Sequence, residues 1–148
     1  MVEPMVVVTD APERQSLDAI AKGLREFNDE TTGTSDHRPL AVIVQDPATG
    51  ETLGGVTGRT SLGLLFLDVF YLPRQLRRTG LGSQILEMAE EEGRKRGCRA
   101  AVLNTISFQA PGFYQRHGWR IFGEIPCSPP GTSRIFMTKD LLPDPGPR

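Results

Sequence analysis

The segment Leu76-Arg77-Arg78-Thr79-Gly80-Leu81-Gly82 has the residue types of an anion cradle. Two arginines bring formal charge and forked N–H donors, which suit phosphate oxygens. Glycines at 80 and 82 let a ligand approach the main chain, and the apolar periodicity that follows predicts a helix opening there. The first turn of a helix has N–H groups without an intrahelical carbonyl and the positive end of the macrodipole, so a diphosphate fits it. Spacing excludes two nucleotide motifs. A triphosphate-binding loop needs Lys-Ser/Thr after its last glycine, where this chain has Ser83-Gln84, and a dinucleotide fingerprint needs a glycine where Ile85 stands.

Asp68 is the second residue with chemical potential, because it interrupts the otherwise apolar run 64–72. A carboxylate among apolar neighbours is costly unless it is paired or functional. It is either a base for an amine or the ionic partner of an arginine such as Arg59 or Arg120. Glu124 is a second acid, more simply read as a hydrogen-bonded strand-end residue. His37 and His117 have no metal-binding spacing, and His117 suits the C-terminal end of a short helix. Cys98 and Cys127 form no Cys-x-x-Cys motif and read as small apolar residues in a reduced setting.

The elements that must position these residues follow from periodicity. Residues 5–9 form a β-branched run, and Asp10 with Glu13 has capping-box spacing before an apolar stripe of Leu17, Ile20, Leu24 and Phe27 that predicts a helix ending near Asn28. Residues 40–45 and 52–59 read as a hairpin about the turn 46–50, with Gly54, Gly55 and Gly58 marking a bulge or a weak strand. The run 64–72 reads as a central strand. A helix follows from Leu81 with Ile85, Met88, Ala89 and Glu92 in register, supported by Glu90/Arg94, Glu91/Lys95 and Glu92/Arg96 at i,i+4 and stopped by Gly97. A strand over 100–105 completes a βαβ unit. A short helix over 111–117 and strands over 119–125 and 134–138 finish the pattern, with the Pro-rich 126–132 as a stiff connection.

A chain of 148 residues is one domain long, with residues 1–142 as that domain and 143–148 as a disordered tail. Seventeen basic against 18 acidic residues, net −1, disfavour domain-wide attraction to nucleic acid or anionic lipid. No apolar stretch approaches the roughly 18 residues that span a bilayer, which places the expected protein in the cytoplasm.

The order β-α-β-β-β, then Arg-x-x-Gly-x-Gly, helix, strand and a short helix with Phe-Tyr before Gly-aromatic resembles the GCN5-related N-acetyltransferase (GNAT) superfamily. The segment 76–82 looks like its acetyl-CoA pyrophosphate loop. Ala110-Pro111-Gly112-Phe113-Tyr114-Gln115-Arg116-His117-Gly118-Trp119 looks like its second signature. The resemblance implies an α+β fold: a mixed, mostly antiparallel sheet of about 6–7 strands, helices on both faces, and a V-shaped splay between the fourth and fifth strands. It implies acetyl-CoA as cosubstrate and no metal. Arg77, Arg78, Thr79, Gly80, Leu81, Gly82 and Ser83 would hold the diphosphate, and Phe70 and Leu72 would pair their backbone with the pantetheine arm. Ser107, standing where the family often has asparagine, would be a further cofactor-binding residue, with a shorter contact to the pantetheine region.

Tyr114 falls on the family's tyrosine position, from which a phenol protonates or hydrogen-bonds the departing thiolate; the alternative is a packed aromatic beside Phe113. With Tyr114 and Asp68 as catalytic residues, the expected activity is direct acetyl transfer to a primary amine of a small molecule. The competing readings are a catalytically weak CoA-binding or regulatory module, and acetylation of a protein or peptide amine. A homodimer is the expected assembly.

Overall fold

The computed structural model describes residues 3–34 and 36–142, so the tail expected at 143–148 lies outside the described residues. The chain divides into two compact units, Met1–Asp36 and His37–Arg148.

The first unit contains helix α1, Arg14–Thr32, whose apolar stripe has the three- and four-residue spacing expected. The helix runs past Asn28 to Thr32, where Thr31 and Thr32 donate their hydroxyls to the carbonyls of Phe27 and Asn28. Gly33, at φ 78, then closes it. Two expectations fail here. Residues 5–9 join no strand, and Glu13 rather than Asp10 is the N-cap, with no side-chain cap bond.

The second unit is a six-stranded sheet in the order β1-β2-β3-β4-β6-β5, where β1 is His37–Gln45, β2 Thr52–Ser61, β3 Leu64–Tyr71, β4 Ala100–Ile106, β5 Arg120–Pro126 and β6 Ser133–Asp140. Every neighbouring pair is antiparallel except β3 and β4. Helix α2, Leu81–Lys95, supplies the crossover between those two strands, as the strand-turn-helix-strand pattern predicts. A short helix α3, Pro111–Arg116, precedes β5. Among the described residues no helix is long and apolar enough to cross a membrane.

The core lies between α2 and one face of the sheet. Ile85, Leu86 and Ala89 of α2 meet Val56, Leu65, Leu67, Ala101, Leu103 and Met137, all buried. The apolar stripe differs from the one expected: Met88 faces outward and Leu86 is fully buried. Gly93 completes the stripe, because a Cβ there would crowd Leu65 and Leu141 at 3.1 and 3.2 Å. Cys98 is buried as expected, whereas Cys127 is exposed.

Glu90 departs most from its sequence reading. Paired with Arg94 it looks like a solvent-side residue, yet it is only 2 % exposed. Its carboxylate accepts from Lys139 Nζ at 2.6 Å and Trp119 Nε1 at 3.2 Å, with Arg94 at 3.7 Å. Removing that carboxylate leaves two donors facing a buried site. Glu90→Ala is therefore expected to destabilise the fold by about 3 kcal/mol, read from urea unfolding; a loss below about 1 kcal/mol, the size of an exposed pair, would contradict the assignment.

Candidate active site

A cleft opens where β3 and β4 part. The two strands pair at Leu64↔Ala100, Leu65↔Ala101 and Phe66↔Val102 and no further. On the other edge of β3 the register jumps from Thr57↔Val69 to Gly58↔Leu67, so Asp68 is an extra residue, a β-bulge. Bulges bend a strand and re-aim its side chains. The glycines of β2 read as a bulge signal accordingly mark one: a Cβ on Gly58 would collide with the Phe66 carbonyl. The splay was expected between the fourth and fifth strands; it falls between the third and fourth because residues 5–9 add no strand.

The cleft has a volume of about 930 Å³. Along it, β3 beyond Phe66 has no ladder partner on the β4 side. Phe70 and Leu72 both line the cleft. Phe70 is partly buried against the core, and Leu72 is buried.

The cradle forms one end. Residues Arg74–Leu76 make a 3-10 turn after β3, and Arg77 donates from Nε to the Leu72 carbonyl at 2.8 Å. Thr79 ties back to Leu76 through its hydroxyl at 2.8 Å. Between them Arg78 adopts φ 61, a left-handed conformation that costs a non-glycine residue about 1 kcal/mol or more. Gly80, at φ 86, is the N-cap of α2. This path brings Arg77, Arg78, Gly80, Gly82 and Ser83 to the cleft wall, while Thr79 and Leu81 support it from outside. The first-turn N–H groups of Gly82 and Ser83 lie where no preceding helical turn supplies carbonyls.

Tyr114 sits in α3, where Pro111 in the first turn fixes the helix start. Its ring is 8 % exposed yet reaches the cleft, packed edge-on to Phe70, Phe113 and Trp119 at 6.3, 5.2 and 5.9 Å between centroids. Burial pushes its phenol up from the usual 10 to about 12, because ionisation would place a charge among these rings. His117 is the C-cap residue of α3, as expected, its backbone N–H donating to the Tyr114 carbonyl at 2.9 Å, and its Nε2 meets Ser83 Oγ at 2.9 Å, which links α3 to the cradle.

Asp68 is the acid of the cleft wall. It pairs with Arg59 at 3.2 Å, one of the two partners considered for it, and its side chain is half-exposed. Arg59 lies 4.3 Å over the Phe66 ring. Glu124 is exposed on β5 and does not line the cleft. Ser107 is also off the wall: its N–H donates to the Ser133 carbonyl at 2.8 Å and its hydroxyl accepts the Ser133 N–H at 3.0 Å. Asn104, Arg116 and Arg134 line the cleft without having been singled out. Only Asn104 carried a signal, as a polar residue alternating with buried Leu103 and Thr105. Among the described residues, no three His, Cys, Asp or Glu side chains converge as a metal site.

Comparison with known proteins agrees with this arrangement. Residues 9–119 match the model of the acetyltransferase (GNAT) family. An acetyltransferase of Agrobacterium fabrum is 32% identical over 133 residues, covering 90% of this chain and 96% of the relative. Blasticidin-S acetyltransferase of Streptomyces morookaense is 36% identical over 113 residues, covering 74% and 83%. A crystal structure from Agrobacterium tumefaciens, described as an acetyltransferase, superposes with a TM-score of 0.83 at 30% identity, covering 93% and 99%.

The cradle makes a specific expectation. A Cβ on Gly82 would touch Phe113 at 3.5 Å and Leu72 at 3.7 Å, ordinary contacts that the fold accepts. Gly82→Ala should therefore keep the thermal midpoint while raising the dissociation constant for CoA by about tenfold or more. Calorimetric titration reads the second and thermal unfolding the first; unchanged affinity would remove Gly82 from the phosphate contact.

Proposed function

The chain belongs to the acetyltransferase (GNAT) family, and on that premise we propose that it transfers an acetyl group from acetyl-CoA directly to a primary amine of a small molecule. The observation that carries this reading is the joint occupation of one cleft by a phosphate-type cradle, a neutral buried phenol and a single carboxylate. The blasticidin-S acetyltransferase relative supports a small-molecule acceptor. Neither Cys98 nor Cys127 lines the cleft, which supports transfer without an acyl-enzyme. The exposed free thiol of Cys127 fits a reducing, cytoplasmic setting.

In this reading the diphosphate of acetyl-CoA rests on the amides of residues 78–83, with Arg78 beside it, and the pantetheine arm lies along the open edge of β3. Asp68 has lone pairs beyond those used by Arg59 and accepts a hydrogen bond from the acceptor amine. The neutral amine nitrogen attacks the thioester carbonyl; the C–N bond forms, the C–S bond breaks and its electron pair leaves on sulfur. The nitrogen releases its extra proton to water in the cleft.

Tyr114 then meets the thiolate. An ordinary thiol titrates near about 8.5, below the roughly 12 of this phenol, so the shared proton stays nearer the oxygen. Tyr114 stabilises the leaving sulfur as a hydrogen-bond donor, and solvent supplies the thiol proton.

Tyr114→Phe should lower kcat by about 10- to 100-fold, the size of one hydrogen bond to a charged group, with CoA affinity retained. An unchanged kcat would reduce Tyr114 to a packing residue, and a protein without turnover on any amine would be a CoA-binding module. The raised phenol also fixes the pH profile. Its protonated form persists to about pH 12, so kcat should rise with amine deprotonation and show no alkaline fall below about pH 10. A descending limb near pH 8 to 9 would mean a different acid.

A further inference from the structure

We propose that the acceptor carries an anionic group, a carboxylate in the simplest case, beside the amine that is acetylated, and that Arg134 held by Asn104 binds it. This rests on the acetyl-transfer reading and narrows its substrate class.

Strand alternation separates the two sides of the cleft. Leu65 and Leu67 of β3 and Leu103 of β4 are buried in the core with the apolar residues of α2, and Thr105 is buried on the same face as Leu103 by strand alternation. Phe66, Asp68, Asn104 and Ile106 therefore belong to the opposite face, where Arg59 stacks over Phe66 and pairs with Asp68. Asp68 and Asn104 each lie two residues beyond the last β3–β4 pair, Phe66↔Val102, so they stand on the two lips of the split. Arg134 of β6 sits opposite Ile106, on the same face, and donates from one guanidinium nitrogen to Asn104 Oδ1 at 2.8 Å.

The charges at this mouth do not balance. Arg59 and Asp68 neutralise one another, but the partner of Arg134 is a neutral amide, and no carboxylate among the described residues lies within ion-pair distance of it. Asn104 takes one of the five N–H donors of the guanidinium and orients the rest. Of the other cleft arginines, Arg77 and Arg78 lie on the cradle and Arg116 at the end of α3. An acceptor presenting its amine to Asp68 thus meets a fixed cation on the facing lip. A second ammonium on the acceptor is repelled there, whereas a carboxylate gains a forked, charge-assisted pair. The mouth selects amino-acid-like acceptors over diamines and polyamines.

Matched acceptors that differ by the carboxylate test this: lysine against 1,5-diaminopentane, ornithine against 1,4-diaminobutane, and β-alanine against ethylamine, each followed by CoA release. The carboxylate member should have the higher kcat/KM by about tenfold or more. Arg134→Gln should erase that preference while leaving the KM for acetyl-CoA within about twofold, and Arg134→Lys should restore part of it. Equal turnover of both members, a preference that survives in Arg134→Gln, or a loss confined to acetyl-CoA affinity would each overturn the assignment. A protein that binds acetyl-CoA but turns over neither member of any pair overturns it as well. One that binds no acetyl-CoA fails the parent reading instead.

Discussion

The structure depends on where β3 stops pairing with β4. Three residue pairs join the strands, and an extra residue in β3 then bends it away. The cause lies on the far side of β3, where Gly58 lets β2 press against the Phe66 carbonyl in a space no side chain could share. A strand held that closely on one edge cannot also follow β4 through the bulge. The unpaired main-chain groups that result would be costly if buried in apolar surroundings. They border a wide cleft instead, so the same defect in the ladder opens the space in which the proposed chemistry takes place.

A sheet parted in its middle needs another element to join its halves, and α2 is that element. Arg96 at its C-terminal end bonds the Pro39 carbonyl at 3.0 Å and Thr60 Oγ1 at 3.2 Å, which belong to β1 and β2. Arg94 donates to the Leu141 carbonyl just after β6, and Glu90 binds Lys139 within β6. The helix therefore grips both halves through polar contacts around an apolar stripe. Its other end is the cradle. The first turn therefore belongs to the same helix that grips both halves, and the Ser83–His117 contact ties it to the helix bearing Tyr114.

What the sequence revealed was the local part of this arrangement. The cradle, α2 and the β1–β2 hairpin are legible because glycine spacing, helical periodicity and a five-residue turn act over short separations. Glu90 misled for the opposite reason: an acid four residues before an arginine has the pattern of a surface pair, and only the approach of Lys139 and Trp119, 49 and 29 residues away, buries it. Residues 5–9 have strand-like composition, but a strand exists only through a partner, and the described residues give them none. The Asn104–Arg134 pair spans 30 residues and depends on β4–β6 register, which composition does not encode.

Charge placement favours a phenol over an acid or an imidazole for the leaving-group role proposed for Tyr114. One part of the cleft wall carries Arg77, Arg78 and the positive end of the α2 dipole, and another carries the Arg59–Asp68 pair, the donor and acceptor ends of the proposed reaction. A carboxylic acid between them would ionise or perturb both ends, and an imidazole would change charge within the working pH range. Tyr114 does neither. Packed among Phe70, Phe113 and Trp119, it is held neutral by the burial that raises its pKa. In the proposed reaction it keeps its hydrogen-bond donor until about pH 12 and adds no charge of its own below that. The low-dielectric aromatic surroundings that make ionising the phenol costly would also strengthen a bond from it to the departing thiolate of that reaction.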